Sequence, residues 1–313
     1  MKLSLPIKEN FSFLSSNGTN TIIGVIVRKA QQPYKAIIMI SHGMKEHMGR
    51  YEKYMNFMAE KGYVMVGHDH IGHGLSVNDK SELGYFAPKD GYVHVLNDLA
   101  ATAGRIRKNF PQLKLILLGH SMGSFYARVF AAKYHHLVDG LIISGTGGKN
   151  PLAAPGKILI SLFIKFKGDK ATSKFITKVI FGSFLSKIKN PKTASDWLTR
   201  DEKAVEKYRS DDLCRFYFTL GGYKDLVTIQ SLSNKAECFE NAKKDIPYLI
   251  VSGDMDPVGE WGKGVEQVYE NYKNAGVKDI ELKLYKDGRH EMLHELNKEE
   301  VYDDILSWME SRF

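Results

Sequence analysis

The sequence predicts an α/β protein with a mostly parallel sheet and helices on both of its faces. Three observations carry that expectation. Short apolar runs alternate with longer stretches of helical periodicity. The alternation stops over residues 148–235 and then resumes. Several of the apolar runs end in Gly, Ser, His or Asp, the residue types that turn sharply or do chemistry.

TIIGVIVR (21–28) alternates and is rich in β-branched residues, so it reads as a strand. KAIIMISHG (35–43) is a buried strand that breaks at Gly43. YEKYMNFMAEKG (51–62) has helical spacing and a Gly stop, and YVMVGHD (63–69) is the next strand. YVHVLNDLAATAGRIRKNF (92–110) is an amphipathic helix that halts before Pro111. LKLILLGHS (113–121), FYARVFAAKY (125–134) and LVDGLIISGT (137–146) read as strand, helix and strand. After the interruption come IPYLIVSG (246–253), WGKGVEQVYENYKNAG (261–276), IELKLYKDG (280–288) and a closing helix over 298–313. Residues 148–235 are mostly helical, with no strand-like alternation. The chain therefore divides into a core, 1–147 with 236–313, and a helical insertion, 148–235, expected to cap the carboxyl edge of the strands.

The 313 residues carry a net charge of +8, which suits anionic partners. No nucleic-acid recognition motif and no aromatic interleaving of a basic groove accompanies it, so a nucleic-acid role is not expected. Cys214 and Cys238 have neither CxxC nor metal-ligand spacing and read as reduced packing residues. No metal or cofactor is called for. The opening MKLSLPIKENF lacks the apolar core of a secretory leader. No run approaches the roughly 18 apolar residues of a membrane span. These features predict a cytoplasmic enzyme, with peripheral membrane contact open.

ILLGHSMGSF (116–125) sets Ser121 between Gly119 and Gly123 where a strand meets a helix. Gly-x-Ser-x-Gly alone is a weak signal, but strand-turn-helix is the context in which it exposes a nucleophilic hydroxyl. Such a serine needs a base, and the base needs an orienting carboxylate. The strand 246–253 ends in Asp254-Met255-Asp256, and the strand 280–288 ends in Arg289-His290, with His294 one turn on, on a starting helix. Acid and histidine follow the serine in chain order, at the same sheet edge. Asp254 or Asp256, and His290 or His294, are the candidates. His42-Gly43 at another strand end would let backbone N–H groups reach a substrate oxygen, with Met44 and Met122 as donors.

HGMKEHMGRY (42–51), GHDHIGHGLS (67–76), LLGHSMGSF (117–125), WLTRDEKAVEKY (197–208) and DGRHEMLHE (287–295) resemble the monoacylglycerol lipase and lysophospholipase group of α/β-hydrolases over essentially the whole chain. The resemblance implies an eight-stranded α/β-hydrolase core with a helical cap. It implies Ser121 as nucleophile, His290 as base and Asp256 as acid, with Met44 and Met122 as oxyanion donors. His42, Gly43, Gly119 and Gly123 match the supporting motifs; Glu46, His47, Arg50 and His73 are expected to brace the loops. Animal members carry a cysteine shortly after the acid, where this chain has Val258, so their thiol sensitivity is not expected here.

From Lys157 to Lys192 there are nine lysines and one acid, Asp169, among large apolar side chains. A basic, oily cap suits an anionic membrane surface; a cap packed on the core with solvated lysines is the plainer alternative. The expected activity is hydrolysis of a small lipid ester, one acyl chain from a monoacylglycerol or a lysophospholipid. The rivals are a general carboxylesterase for short or aromatic esters and a non-catalytic ligand-binding protein of the same fold.

Overall fold

Neighbouring residues of the central strands serve opposite layers. In β3 (Ile37–Ser41), Ile37 and Met39 join one hydrophobic cluster while Ile38 and Ile40 join the other. In β5 (Leu115–His120), Leu115 and Leu117 face one way and Ile116 and Leu118 the other. A strand covered on both faces thus reads as an unbroken apolar run. The computed structural model describes residues 5–313.

With β1 (Ile7–Leu14), β2 (Thr21–Arg28), β4 (Val64–His68), β6 (Gly140–Ser144), β7 (Tyr248–Gly253) and β8 (Ile280–Tyr285), the sheet has eight strands in the order β1-β2-β4-β3-β5-β6-β7-β8. The β1/β2 and β2/β4 pairs are antiparallel, and the others are parallel. Seven strands are evident from pattern; β1 is not, because IKENFSFL is a largely exposed edge strand in which Phe11 and Phe13 alone pack against the core.

Helices α1 (Glu52–Glu60) and α10 (Lys298–Glu310) cover one face through residues such as Met55, Met58, Ile305 and Met309. Helices α2 (Gly91–Asn109), α3 (Met122–Lys133) and α9 (Lys263–Asn274) cover the other through Leu99, Phe130 and Val268. Between β6 and β7 lie α4 (Ala153–Lys167), α5 (Lys174–Phe181), α6 (Glu202–Ser210), α7 (Leu220–Ser233) and α8 (Ala236–Glu240). Helix α7 packs on α2 and α3, and α4 packs on α7.

Because β3, β5, β7 and β8 run in parallel, their carboxyl ends share one edge, where open α/β sheets place ligands. The loops after Ser41, His120, Gly253 and Tyr285 therefore converge there. His294 lies in a short 3-10 turn, Met292–His294, and the closing helix starts only at Lys298. The expectation that His294 stands on a starting helix is corrected: Glu295, bound by Arg200 and by backbone N–H groups, holds this stretch out of the helix.

Candidate active site

Ser121 stands at the β5–α3 junction with φ 54° and ψ −121°, a backbone state that L residues rarely adopt. Its neighbours make that turn possible. A Cβ on Gly123 would lie 1.9 Å from the Ser41 carbonyl oxygen, and one on Gly119 would lie 2.4 Å from the Gly123 carbonyl oxygen. Both obstructions are backbone, so only glycine fits. Ser121 N–H donates to Ser144 O at 2.9 Å, and Ser124 N–H and Oγ donate to Ser121 O at 2.8 and 2.6 Å. The strained serine is thus clamped from both sides, and the positive end of α3 lies beside it.

His290 is buried, and its Nδ1 lies 2.9 and 3.0 Å from the two carboxylate oxygens of buried Asp256. Asp256 also accepts from Val258 N–H at 2.9 Å and Ser252 Oγ–H at 3.2 Å, so its acceptors face fixed donors. Burial works against a charged imidazole, but the Asp256 charge and hydrogen bond prevail and hold the His290 pKa above 6.5. Asp254 makes no such contact: its Oδ1 is buried without a partner. His294 is half-buried, and desolvation followed by the Arg50 charge lowers it to about 4. The geometry thus pairs His290 with Asp256 and leaves Asp254 and His294 aside. Ser121 and His290 line the same cavity of about 220 Å³.

The loop after β3 is set by a histidine relay. His42 Nε2 accepts from His70 N–H at 2.9 Å, so its proton is on Nδ1, which donates to Gly43 O at 2.7 Å. Burial lowers the His42 pKa to about 3, and it stays neutral, as the relay requires. The Gly43–Met44 peptide is planar and trans, so fixing that carbonyl turns the Met44 N–H away from His42. Met44 lines the Ser121 cavity.

Beneath this loop lies a buried ion cluster. Arg50 donates to Glu46 at 2.9 Å and, through both terminal nitrogens, to Glu291 at 2.7 Å. Glu46 in turn accepts from Tyr51 Oη–H at 2.8 Å and from Gly43 N–H. The cluster joins the Gly43 loop to the residue after His290, and the Arg50 guanidinium sits 4.9 Å over the Tyr208 ring of α6. Burial alone would raise the Glu291 pKa; Arg50 overrides it and holds it well below 4.5. Its stabilising share is therefore full above pH 4.5 and lost as pH falls below that value toward the depressed pKa. Arg50→Met strands two buried carboxylates, and chemical denaturation at neutral pH is expected to register a loss of about 3–5 kcal/mol. An unchanged denaturation midpoint would mean that the cluster contributes no stability.

The insertion grips the histidine loop through backbone. Glu291 N–H donates to Leu198 O at 2.7 Å, His290 N–H to Trp197 O at 3.4 Å, and the Arg289 side chain to the Asp196 and Thr199 carbonyls. The Trp197 ring lies 4.9 Å from the His290 ring. Trp197, Leu198, Tyr208, Tyr217, Phe218 and Tyr223 also wall the cavity, as does Lys45. Trp197, Leu198 and Tyr208 lie in the motif WLTRDEKAVEKY, which pointed to no role at the site; Tyr217, Phe218 and Tyr223 carry no strand-end signature, and Lys45, inside HGMKEH, was within reach.

His47, Asp211 and Cys214 place ligand atoms within 4.8 Å of one another. His47 Nδ1 accepts from Gly49 N–H at 3.2 Å, which puts its proton on Nε2, and Nε2–H donates to Asp211 at 2.9 Å. The imidazole offers no lone pair to a cation there, so the group is a clasp between core and insertion.

Residues 32–297 match a family model, Hydrolase_4, described as "Serine aminopeptidase, S33". The chain is similar to human monoglyceride lipase, 29% identical over 89% of this chain and 83% of the relative. It is also similar to phospholipase YtpA of Bacillus subtilis, 26% identical over 88% and 94%. A solved carboxyl esterase from Bacillus coagulans superposes with a TM-score of 0.91 at 28% identity, covering 97% of this chain and 98% of that one. The chain belongs to the Hydrolase_4 family and is a serine hydrolase of the α/β-hydrolase fold.

Proposed function

We propose that Ser121, His290 and Asp256 act as a catalytic triad that cleaves the ester of a single-chain lipid. Ser121 Oγ attacks the ester carbonyl while His290 takes its proton and passes it to the leaving alcohol. The backbone N–H groups of Met44 and Met122 receive the oxyanion. Water, deprotonated by His290, then releases the fatty acid. The observation that carries this reading is the buried Asp256–His290 pair, whose histidine shares a cavity with a serine on a strained elbow. The names of the human and Bacillus subtilis relatives support a lipid ester as substrate.

An aminopeptidase, as the family description has it, needs a carboxylate free to meet a substrate ammonium. The acidic residues lining the cavity are Glu46 and Glu291, and both are engaged by Arg50. That favours an ester. A short-ester carboxylesterase is the second reading. It is favoured by the cavity volume of about 220 Å³, below the roughly 300–1,000 Å³ usual for ligand sites. Fatty-acid release from monooleoylglycerol and lysophosphatidylcholine, beside a series of shorter esters, decides between them. Turnover that falls steadily with chain length would favour the second.

Membrane contact is part of the proposal. Ile158, Leu162 and Phe166 are exposed at four-residue spacing along α4, and Phe175 and Val179 along α5, among Lys157, Lys165, Lys174 and Lys178. Such a face suits the acyl boundary of an anionic bilayer. Co-sedimentation with phosphatidylglycerol vesicles is expected and should weaken several-fold in Phe166→Asp, at about 1.4 kcal/mol per tenfold. Equal sedimentation of both proteins would remove this face from the proposal.

A further inference from the structure

Lys45 occupies an unusual place. It follows Met44, lines the cavity that holds Ser121 and His290, and adopts φ 58°. That left-handed conformation is strained for an L side chain and free for glycine. A strained residue at a site is an invitation to ask what its side chain does there. The Lys45 ammonium lies 5.9 Å from the centre of the Phe216 ring. Among the described residues it has no carboxylate partner: Glu46 and Glu291 are taken by Arg50, and Asp211 by His47 and the Leu213 N–H. The nearby Cys214 thiol is kept protonated by its burial. A half-buried cation without a carboxylate partner thus belongs to a residue that lines the substrate cavity.

We propose that Lys45 is a specificity-determining residue that binds an anionic head group, so that the enzyme prefers single-chain lipids bearing a phosphate over neutral monoacylglycerols. The inference rests on the lipid-ester reading above and names its substrate class. The phosphate supplies the acceptor oxygens that Lys45 lacks, in a cavity where a charge-assisted hydrogen bond is strong. Tyr208 and Tyr217 line the same cavity and are the candidates to donate to the remaining phosphate oxygens.

The test compares 1-oleoyl-lysophosphatidic acid with 1-monooleoylglycerol, which differ only in the phosphate. In Lys45→Met, the ratio of kcat/KM for the phosphorylated over the neutral lipid is expected to fall about ten- to a hundredfold, mainly through KM. Lys45→Arg should keep most of the ratio. Lys45→Gly, which also relieves the backbone, should lose it as Lys45→Met does. An unchanged ratio in Lys45→Met overturns the inference. sn-Glycerol 3-phosphate should compete better than inorganic phosphate; equal inhibition by the two would mark a free-anion site and overturn the head-group assignment. If the wild type cleaves p-nitrophenyl butyrate but neither lipid, the lipid reading fails and this inference with it. Cleavage of both lipids with no dependence on Lys45 defeats the inference alone.

Discussion

Ser121→Ala is expected to lower kcat on monooleoylglycerol by about 10⁶-fold, the scale on which a triad loses its nucleophile. The change removes one oxygen and disturbs little else. The Ser121 amide still donates to Ser144, and Ser124 still binds the residue 121 carbonyl, since both contacts are backbone at this position. Residue 121 needs φ 54° whichever side chain it carries. The variant should therefore fold as the parent does and bind substrate with similar affinity. A kcat within a hundredfold of the parent, in protein free of wild type, would show that another group attacks the ester. A fluorophosphonate probe gives an independent readout, labelling the parent and not the variant.

The second large effect is expected at Asp256. Asn is nearly the same shape, but two of its hydrogens replace acceptor lone pairs. Val258 N–H already demands an oxygen at Oδ1. The Asn amide nitrogen is then forced to the Oδ2 position, beside His290 Nδ1 and the Ser252 hydroxyl, whose rotor can turn to accept. His290 must present a lone pair at Nδ1, and its proton moves to Nε2, toward Ser121. A base with its proton on the wrong nitrogen loses about 10⁴-fold in kcat. Asp254→Asn should cost little by comparison; the reverse ranking would exchange the two aspartates. The pH profile gives a second signature. The neutral imidazole is the base, so activity falls as pH drops through the His290 pKa, which lies above 6.5 in the parent. Without the Asp256 charge the residual activity should extend to lower pH.

Most of the sheet was legible because its central strands are buried on both faces. β2 runs from Thr21 to Arg28 as its alternation predicts, and β7 ends at Gly253 as expected. β1 was hidden because an edge strand with one weakly covered face has no reason to be apolar. The site was legible where chemistry meets a strand end, as at Ser121, Asp256 and His290. Spacing alone left two aspartates and two histidines open. The geometry separates them: the loop after Gly253 brings Asp256, not Asp254, within reach of His290. Trp197 and Tyr208 bound a motif that the sequence shows, but their place at the site was hidden for a different reason. They reach the site from the insertion, across contacts more than 90 residues apart in sequence, which local periodicity does not encode.

The bonds from residues 289–291 to the carbonyls of residues 196–199 bear on how this insertion can be inherited or exchanged. A module joined only at its two ends can be swapped like a domain. Here the stretch after Pro191 helps to set the loop that carries His290, so a foreign insertion would have to offer carbonyls in the same register. The length that includes α4 and α5 carries no such obligation. Lineages are free to reshape that half for new surfaces and substrates, and a chimera should take its crossover before residue 191 rather than at β7.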